Sequence, residues 1–204
     1  MSIIGRTAPF LTGKDSHVTL VGYSVGYWSG SPTPALPSGT QQGDLMIMFG
    51  SGNSGGVWTP PAGWTDLFGT TGNAAACYKV AGASEPGSYV FYGPAAYSSG
   101  GIMTFRGCTL GVVGSAQGQT AASIDALSVT ANAANSLLVA LYGAIAQVSF
   151  NTPTGMTLVV TASTYAGLGL FTQEVQAGAT GVRTSTTVGG SGDLTAAMLT
   201  LNPA

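Results

Sequence analysis

The chain has 204 residues and a mass of 20.2 kDa; 32 residues are glycine, about 16% against a usual ~7%, and only 6% are charged against a usual ~25%. A net charge of −2 with five cations in all excludes a nucleic-acid binder, which needs clustered Lys and Arg to displace counterions from phosphates. An apolar content of 45% excludes charge-driven disorder, and so many glycines exclude coiled coils and helical bundles.

In chain order, Met1 to Pro9 lacks the continuous apolar run of a secretory signal, so an unexported chain is expected. Strand signals then follow at short intervals: Val18–Tyr23, Asp44–Phe49, Ala75–Val80, Ser88–Tyr92 and Gly101–Phe105. The second half continues with Ser136–Tyr142, Thr157–Thr161, Leu168–Thr172, Arg183–Val188 and Ala197–Leu201. Clusters of Gly, Pro, Ser and Asn separate them, notably Ser29–Pro34 and Gly50–Gly56, which read as loops. No window carries a sustained i, i+3, i+4, i+7 apolar stripe. The longest apolar stretch, Leu137 to Ala146, is about half of a membrane span. These signals predict an all-β fold: one antiparallel, jelly-roll-like β-sandwich over residues 1–204, with eight to ten strands and almost no helix.

The two halves repeat one plan. Gly43–Gly50 aligns with Asn135–Tyr142 at an offset of 92 residues, and Thr59–Leu67 aligns with Asn151–Val159 at the same offset without a gap. With the offset widened by four residues, Gly82 pairs with Gly178 and Met103-Thr104-Phe105 with Leu199-Thr200-Leu201. Quasi-repeats over about 15–110 and 111–204, each burying one face, are expected to pack around a shared core.

Three catalytic look-alikes rest on glycines and serines that this composition supplies in bulk. Gly22-Tyr23-Ser24-Val25-Gly26 has the spacing of a nucleophile elbow, but no helix can open at Tyr27–Pro32, and His17, the single histidine, precedes the serine. Gly52-Asn53-Ser54-Gly55-Gly56 resembles a serine-protease loop, with His17 and Asp44 upstream in the right order, yet squeezed into 38 residues. Gly50–Gly55 fits GxGxxG, but Val57-Trp58-Thr59-Pro60-Pro61 follows where a dinucleotide site needs a helix N-terminus. Seven scattered carboxylates and one histidine show no metal-ligand spacing. The sequence therefore predicts no enzyme, no catalytic residues, no metal and no cofactor. Cys77 and Cys108 lack CxxC spacing and read as free thiols.

Contact surfaces are the remaining candidates. Trp64, in the repeated turn and matched by Met156, reads as core. Trp28 and Trp58, flanked by Gly, Ser and Pro, are the candidate interface residues, as anchors at a protein contact or as platforms for a sugar.

The blocks Pro37-Ser38-Gly39-Thr40-Gln41-Gln42-Gly43-Asp44-Leu45, Pro60-Pro61-Ala62-Gly63-Trp64-Thr65, Tyr78-Lys79-Val80-Ala81, Glu85-Pro86-Gly87-Ser88-Tyr89-Val90-Phe91 and Arg106-Gly107 occur in one order over about residues 15–110. This succession resembles β-sandwich modules in virion proteins of tailed bacteriophages and prophages. The resemblance implies a structural or adhesive role in the virion, assembled in the bacterial cytoplasm. Met1–Ala204 carries no heptads and no collagen-like shaft of the sort that tail fibres attach to such a module. On that ground the resemblance implies an oligomeric capsid decoration protein, and a tail-fibre or tail-tip module as the alternative. The expected partners are further copies of the chain, as in a trimer, and the major capsid protein or other virion proteins. A host-surface glycan is the partner in the alternative; no nucleic acid or membrane is expected.

Overall fold

The computed structural model describes residues 17–69, 71–94 and 96–204. The first half supplies β1 (Thr19–Ser29), β2 (Leu45–Val57), β3 (Thr65–Asp66), β4 (Thr71–Val80) and β5 (Tyr97–Arg106). The second supplies β6 (Cys108–Val113), β7 (Gln117–Ala121), β8 (Ser123–Ala126), β9 (Thr130–Ala131), β10 (Ser136–Ala144) and β11 (Ser149–Phe150). It continues through β12 (Thr157–Ala162), β13 (Gly167–Val175), β14 (Gly178–Ala179), β15 (Arg183–Val188) and β16 (Gly192–Pro203). Among the described residues there is no helix, and ten of the strands run for six residues or more. The fold is an all-β antiparallel sandwich, as the strand signals predict.

Each principal sheet is drawn from one half of the chain. The first has the order β1-β5-β2-β4-β3 and the second β6-β16-β10-β13-β12, with β7 also on β16. Aligned half to half, these are the same order. Registers agree as well: Leu45 faces Phe105 in the first sheet, and Leu137 faces Leu201 in the second. Thr65 faces Tyr78 as Thr157 faces Thr172. Both outer strands bulge at the same point: Val21 is extra between Leu20 and Gly22, and β6 carries one extra residue between Leu110 and Val113. The turns entering β3 and β12 match closely. Trp64 N–H donates to Pro61 O and Met156 N–H to Pro153 O, each at 3.1 Å, over Gly63 and Gly155 with φ near +80°. Arg106-Gly107-Cys108 carries the chain from one sheet to the other, with Gly107 in the left-handed region.

The sheets stack so that β1 borders β12 while β2 and β4 lie over β10 and β16. Between them is the shared core: Leu45, Ile47, Phe49, Met103 and Phe105 against Leu137, Val139, Leu141, Leu170, Leu199 and Leu201. Each such side chain contributes about 1.5–3 kcal/mol when fully buried. Both outer faces are covered as well. Over the first sheet, Trp58, Trp64, Tyr89 and Phe91 from the connecting segments pack on Met46, Met48, Cys77 and Ile102. Over the second, the small sheet β11-β15-β8 brings Ile124, Ala126, Val148 and Phe150 onto Leu138, Tyr142, Phe171 and Met198. Because β2 and β10 are covered on both faces, they read as unbroken apolar runs and not as alternating strands.

Two local expectations fail. Ser88–Tyr92 forms only the isolated bridges Ala35–Ser88 and Thr59–Tyr92. Prolines at 32, 34, 37, 60 and 61 remove the donors that a continuous ladder between these segments requires. Gly50–Gly56 is not a loop but the continuation of β2: Gly50, Ser51 and Gly52 pair with Gly100, Ser99 and Ser98. The missing side chains leave room there for the ring of Trp58, 2.7 Å from where a Cβ on Gly50 would stand.

Candidate interaction surface

Trp58 is not an interface residue. It is fully buried (0% exposed), its ring centroid lies 5.1 Å from that of Phe91, and Nε1 donates to Gly72 O at 3.2 Å. The Gly and Pro neighbours that suggested exposure instead make the cavity it fills: Gly50 and Gly93 both lie under the ring. Trp28 is half-buried on β1 and folds its ring over Gly26, two residues back on the same face. Trp64 and Met156 both lie in the core, at equivalent positions of the two halves.

The serine look-alikes do not assemble. Ser24 Oγ donates to Ala35 O, which ties β1 to the segment covering its face. Asp44, which closes the turn before β2, is held by Arg106 through Nε–Oδ1 and Nη2–Oδ2 contacts of 2.8 Å each. That pairing, against the opposing effect of burial and with help from Gln41 N–H, holds the Asp44 carboxyl below its ordinary range. Ser54 lies ten residues further along the chain, within the irregular stretch of β2 between Ser51 and Gly56. His17 Nδ1 lies 3.5 Å from Glu174. Three residues that are ordered like a triad in the sequence therefore point to three different places.

The other titratable groups hold structure together. Burial raises Glu85, but the Lys79 ammonium at 2.7 Å and the Gly82 N–H more than reverse this. Burial pushes the Cys108 thiol up to about 11, and Cys77 further still, so neither is a thiolate at neutral pH; both are free. Tyr142 is raised by burial, and its hydroxyl donates to Arg183 O at 2.7 Å. Among the described residues no three His, Cys, Asp or Glu side chains come together as a metal site. The cavity between the sheets, bordered by Phe49, Phe68, Leu141, Leu168 and Leu170, is apolar.

What remains is one side of the sandwich, where β1 and β12 are the outermost strands of their sheets. Among the described residues, the main chain of Thr19–Ser29 is hydrogen-bonded to β5 alone. Neither Thr19–Ser29 nor Thr157–Ala162 contains a charged residue or a proline. Among the described residues, the charged pair His17 and Glu174 lies at one end of this side. Large apolar groups are exposed along it: Tyr23 (47%) and Tyr27 (56%) on β1, Leu158 on β12 and Tyr97 at the start of β5. At the far end Tyr165, in the β12–β13 hairpin, gathers Tyr27 and Tyr97 with ring centroids 5.7 and 4.9 Å away. The sequence signal for this surface was the alternation Tyr23-x-Val25-x-Tyr27, a period of two; Tyr165 carried no signal, since the fold alone brings it there.

Comparison with protein-family models, with curated proteins and with solved structures finds no match.

Proposed function

We propose that this chain is a non-enzymatic structural protein of a bacteriophage virion, an oligomeric capsid decoration protein that stabilises the shell by contact. The observation that carries the reading is the side bearing β1 and β12, two strands without a charged residue. It combines two strand edges with exposed tyrosines, neither strand carries the Lys or Pro that isolated β-proteins use to keep such edges apart, and among the described residues no main chain pairs with the outer edge of β1. Exposed apolar surface around unpaired main chain favours burial against another protein. The ordered blocks from Pro37 to Gly107 add the resemblance to virion modules. A second reading, a glycan-binding tail module, draws on the cluster of exposed Tyr27 and Tyr97 with half-buried Tyr165, and on half-buried Trp28 on the opposite face of β1.

Added to capsid shells of the phage that encodes it, the chain is expected to cosediment to saturation and to raise the shells' melting temperature. A chain that stays in the supernatant and leaves that temperature unchanged overturns the decoration role. Glycan-array binding abolished by Trp28→Ala would establish the second reading in its place.

A further inference from the structure

We infer that β1 is a self-complementary docking edge: two copies of this chain pair β1 to β1, antiparallel, about a two-fold axis at Val25. The inference deepens the contact role proposed above by naming the partner of the same surface as a second copy of this chain.

Three observations lead to this partner. First, β1 presents eight residues in unbroken register, Gly22 to Ser29, beyond the bulge at Val21. The strand is 11 residues long and regular beyond Val21, and among the described residues nothing hydrogen-bonds to its outer main chain, so an extended strand can satisfy it. Second, the strand carries no charge. An identical copy therefore brings no like charges together, whereas a basic or acidic peptide would find no counter-charge there. Third, the residues around Val25 read almost the same in both directions: Tyr23-Ser24-Val25-Gly26-Tyr27. Antiparallel pairing centred on Val25 sets Tyr23 opposite Tyr27 of the second copy, and Tyr27 opposite Tyr23. It also sets Ser24 opposite Gly26. Cross-strand aromatic pairs of this kind stabilise a sheet by about 0.2–1 kcal/mol each, and on the other face, where Ser24 grips the covering segment, the same register sets Gly22 opposite Trp28. The interface is isologous, so it closes at two chains and joins the two first sheets into one of ten strands.

Sedimentation of the full chain alone tests this. The wild type is expected at twice 20.2 kDa, and Tyr23→Lys or Tyr27→Lys at the monomer mass with an unchanged circular dichroism spectrum. Leu158→Lys, which places the same charge on the neighbouring edge β12, is expected to leave the dimer intact. Val25→Cys in a Cys108→Ser background is expected to cross-link to a covalent dimer under mild oxidation, a readout independent of the lysine variants. A wild type that is monomeric at all concentrations overturns the inference, as does a trimer, which an isologous pair cannot close. So does a dimer that survives both tyrosine substitutions or is broken by Leu158→Lys. A chain that binds shells while sedimenting alone as a monomer would refute edge pairing and leave the decoration role standing.

Discussion

The two sheets share strand order and register but solve the covering of their outer faces in opposite ways. In the first sheet the position equivalent to Tyr142 is Gly50, and the aromatic ring arrives from outside: Trp58, carried by a connecting segment, lies over Gly50 and Gly93. In the second sheet the ring belongs to the strand itself. Tyr142 projects from β10 between Phe150 and Phe171 and bonds the covering sheet through Arg183 O. The clips at the sheet ends differ likewise. Asp44 and Arg106 form a charged pair, while their counterparts Ser136 and Asn202 lie 3.1 Å apart as neutral partners. One architecture thus tolerates exchange of where a ring is rooted and of whether a clip is charged. The order of strands and the inner core stay the same.

Substitutions can separate the two solutions. Trp58→Ala empties the cover of the first sheet and is expected to cost about 3–5 kcal/mol in denaturant unfolding. A cost below about 1 kcal/mol would mean that the segment carrying Trp58 is not integral to the fold. Tyr142→Phe keeps the ring and removes one hydrogen bond to the cover of the second sheet. Its expected cost is about 0.5–1.5 kcal/mol by the same measurement.

Acid distinguishes the clips. The Asp44 carboxyl lies below its ordinary value of 3.8 because of Arg106, and Glu85 lies below 4.5 because Lys79 and Gly82 outweigh the effect of burial. A lowered folded-state value means that the associated stability is fully present above the ordinary carboxylate range and is lost as pH falls through the lowered value. The melting temperature is therefore expected to hold down to about pH 5 and to fall below about pH 4, with amides near Asp44 losing protection before those near Ser136. Equal loss at both would show that the charged clip adds nothing specific.

The smallest effect is expected at Asn135. It has φ of +57°, alone among described non-glycine residues in the left-handed region, and stands where the first half has Gly43 at +90°. Asn135→Gly is expected to change stability by less than about 0.5 kcal/mol, since asparagine already tolerates this conformation. Asn135→Ala is expected to cost about 1 kcal/mol. Thermal unfolding of the pair reads the difference.

The strands with a buried inner face were legible in the sequence because apolar runs survive any choice of partner. Asp44–Phe49, Ser136–Tyr142 and Ala197–Leu201 fall on strands, with Asp44 alone just outside β2. The gapless 92-residue offset marked equivalent turns because Gly63 and Gly155 must both adopt positive φ. What was illegible depends on contacts distant in sequence. Trp58 looked exposed among small residues because nothing local shows that Gly50 and Gly93 make its pocket. Gly50–Gly56 looked like a loop because glycine is a poor strand former, although the gap it leaves is what that ring needs. The interaction surface was half legible. Tyr23-x-Val25-x-Tyr27 alternates as a strand should, but the sequence does not say that β1 is outermost, nor that Tyr165 closes over its end.

Residue-resolved hydrogen exchange of the full chain at low and high concentration tests most directly whether the β1–β12 side is the contact side. Alternate amides along Gly22–Ser29, those turned away from β5, are expected to gain protection as concentration rises, while amides of β6 and β7 on the opposite side stay unchanged. Protection that is independent of concentration along β1, or that grows instead on β6 and β7, would contradict the account.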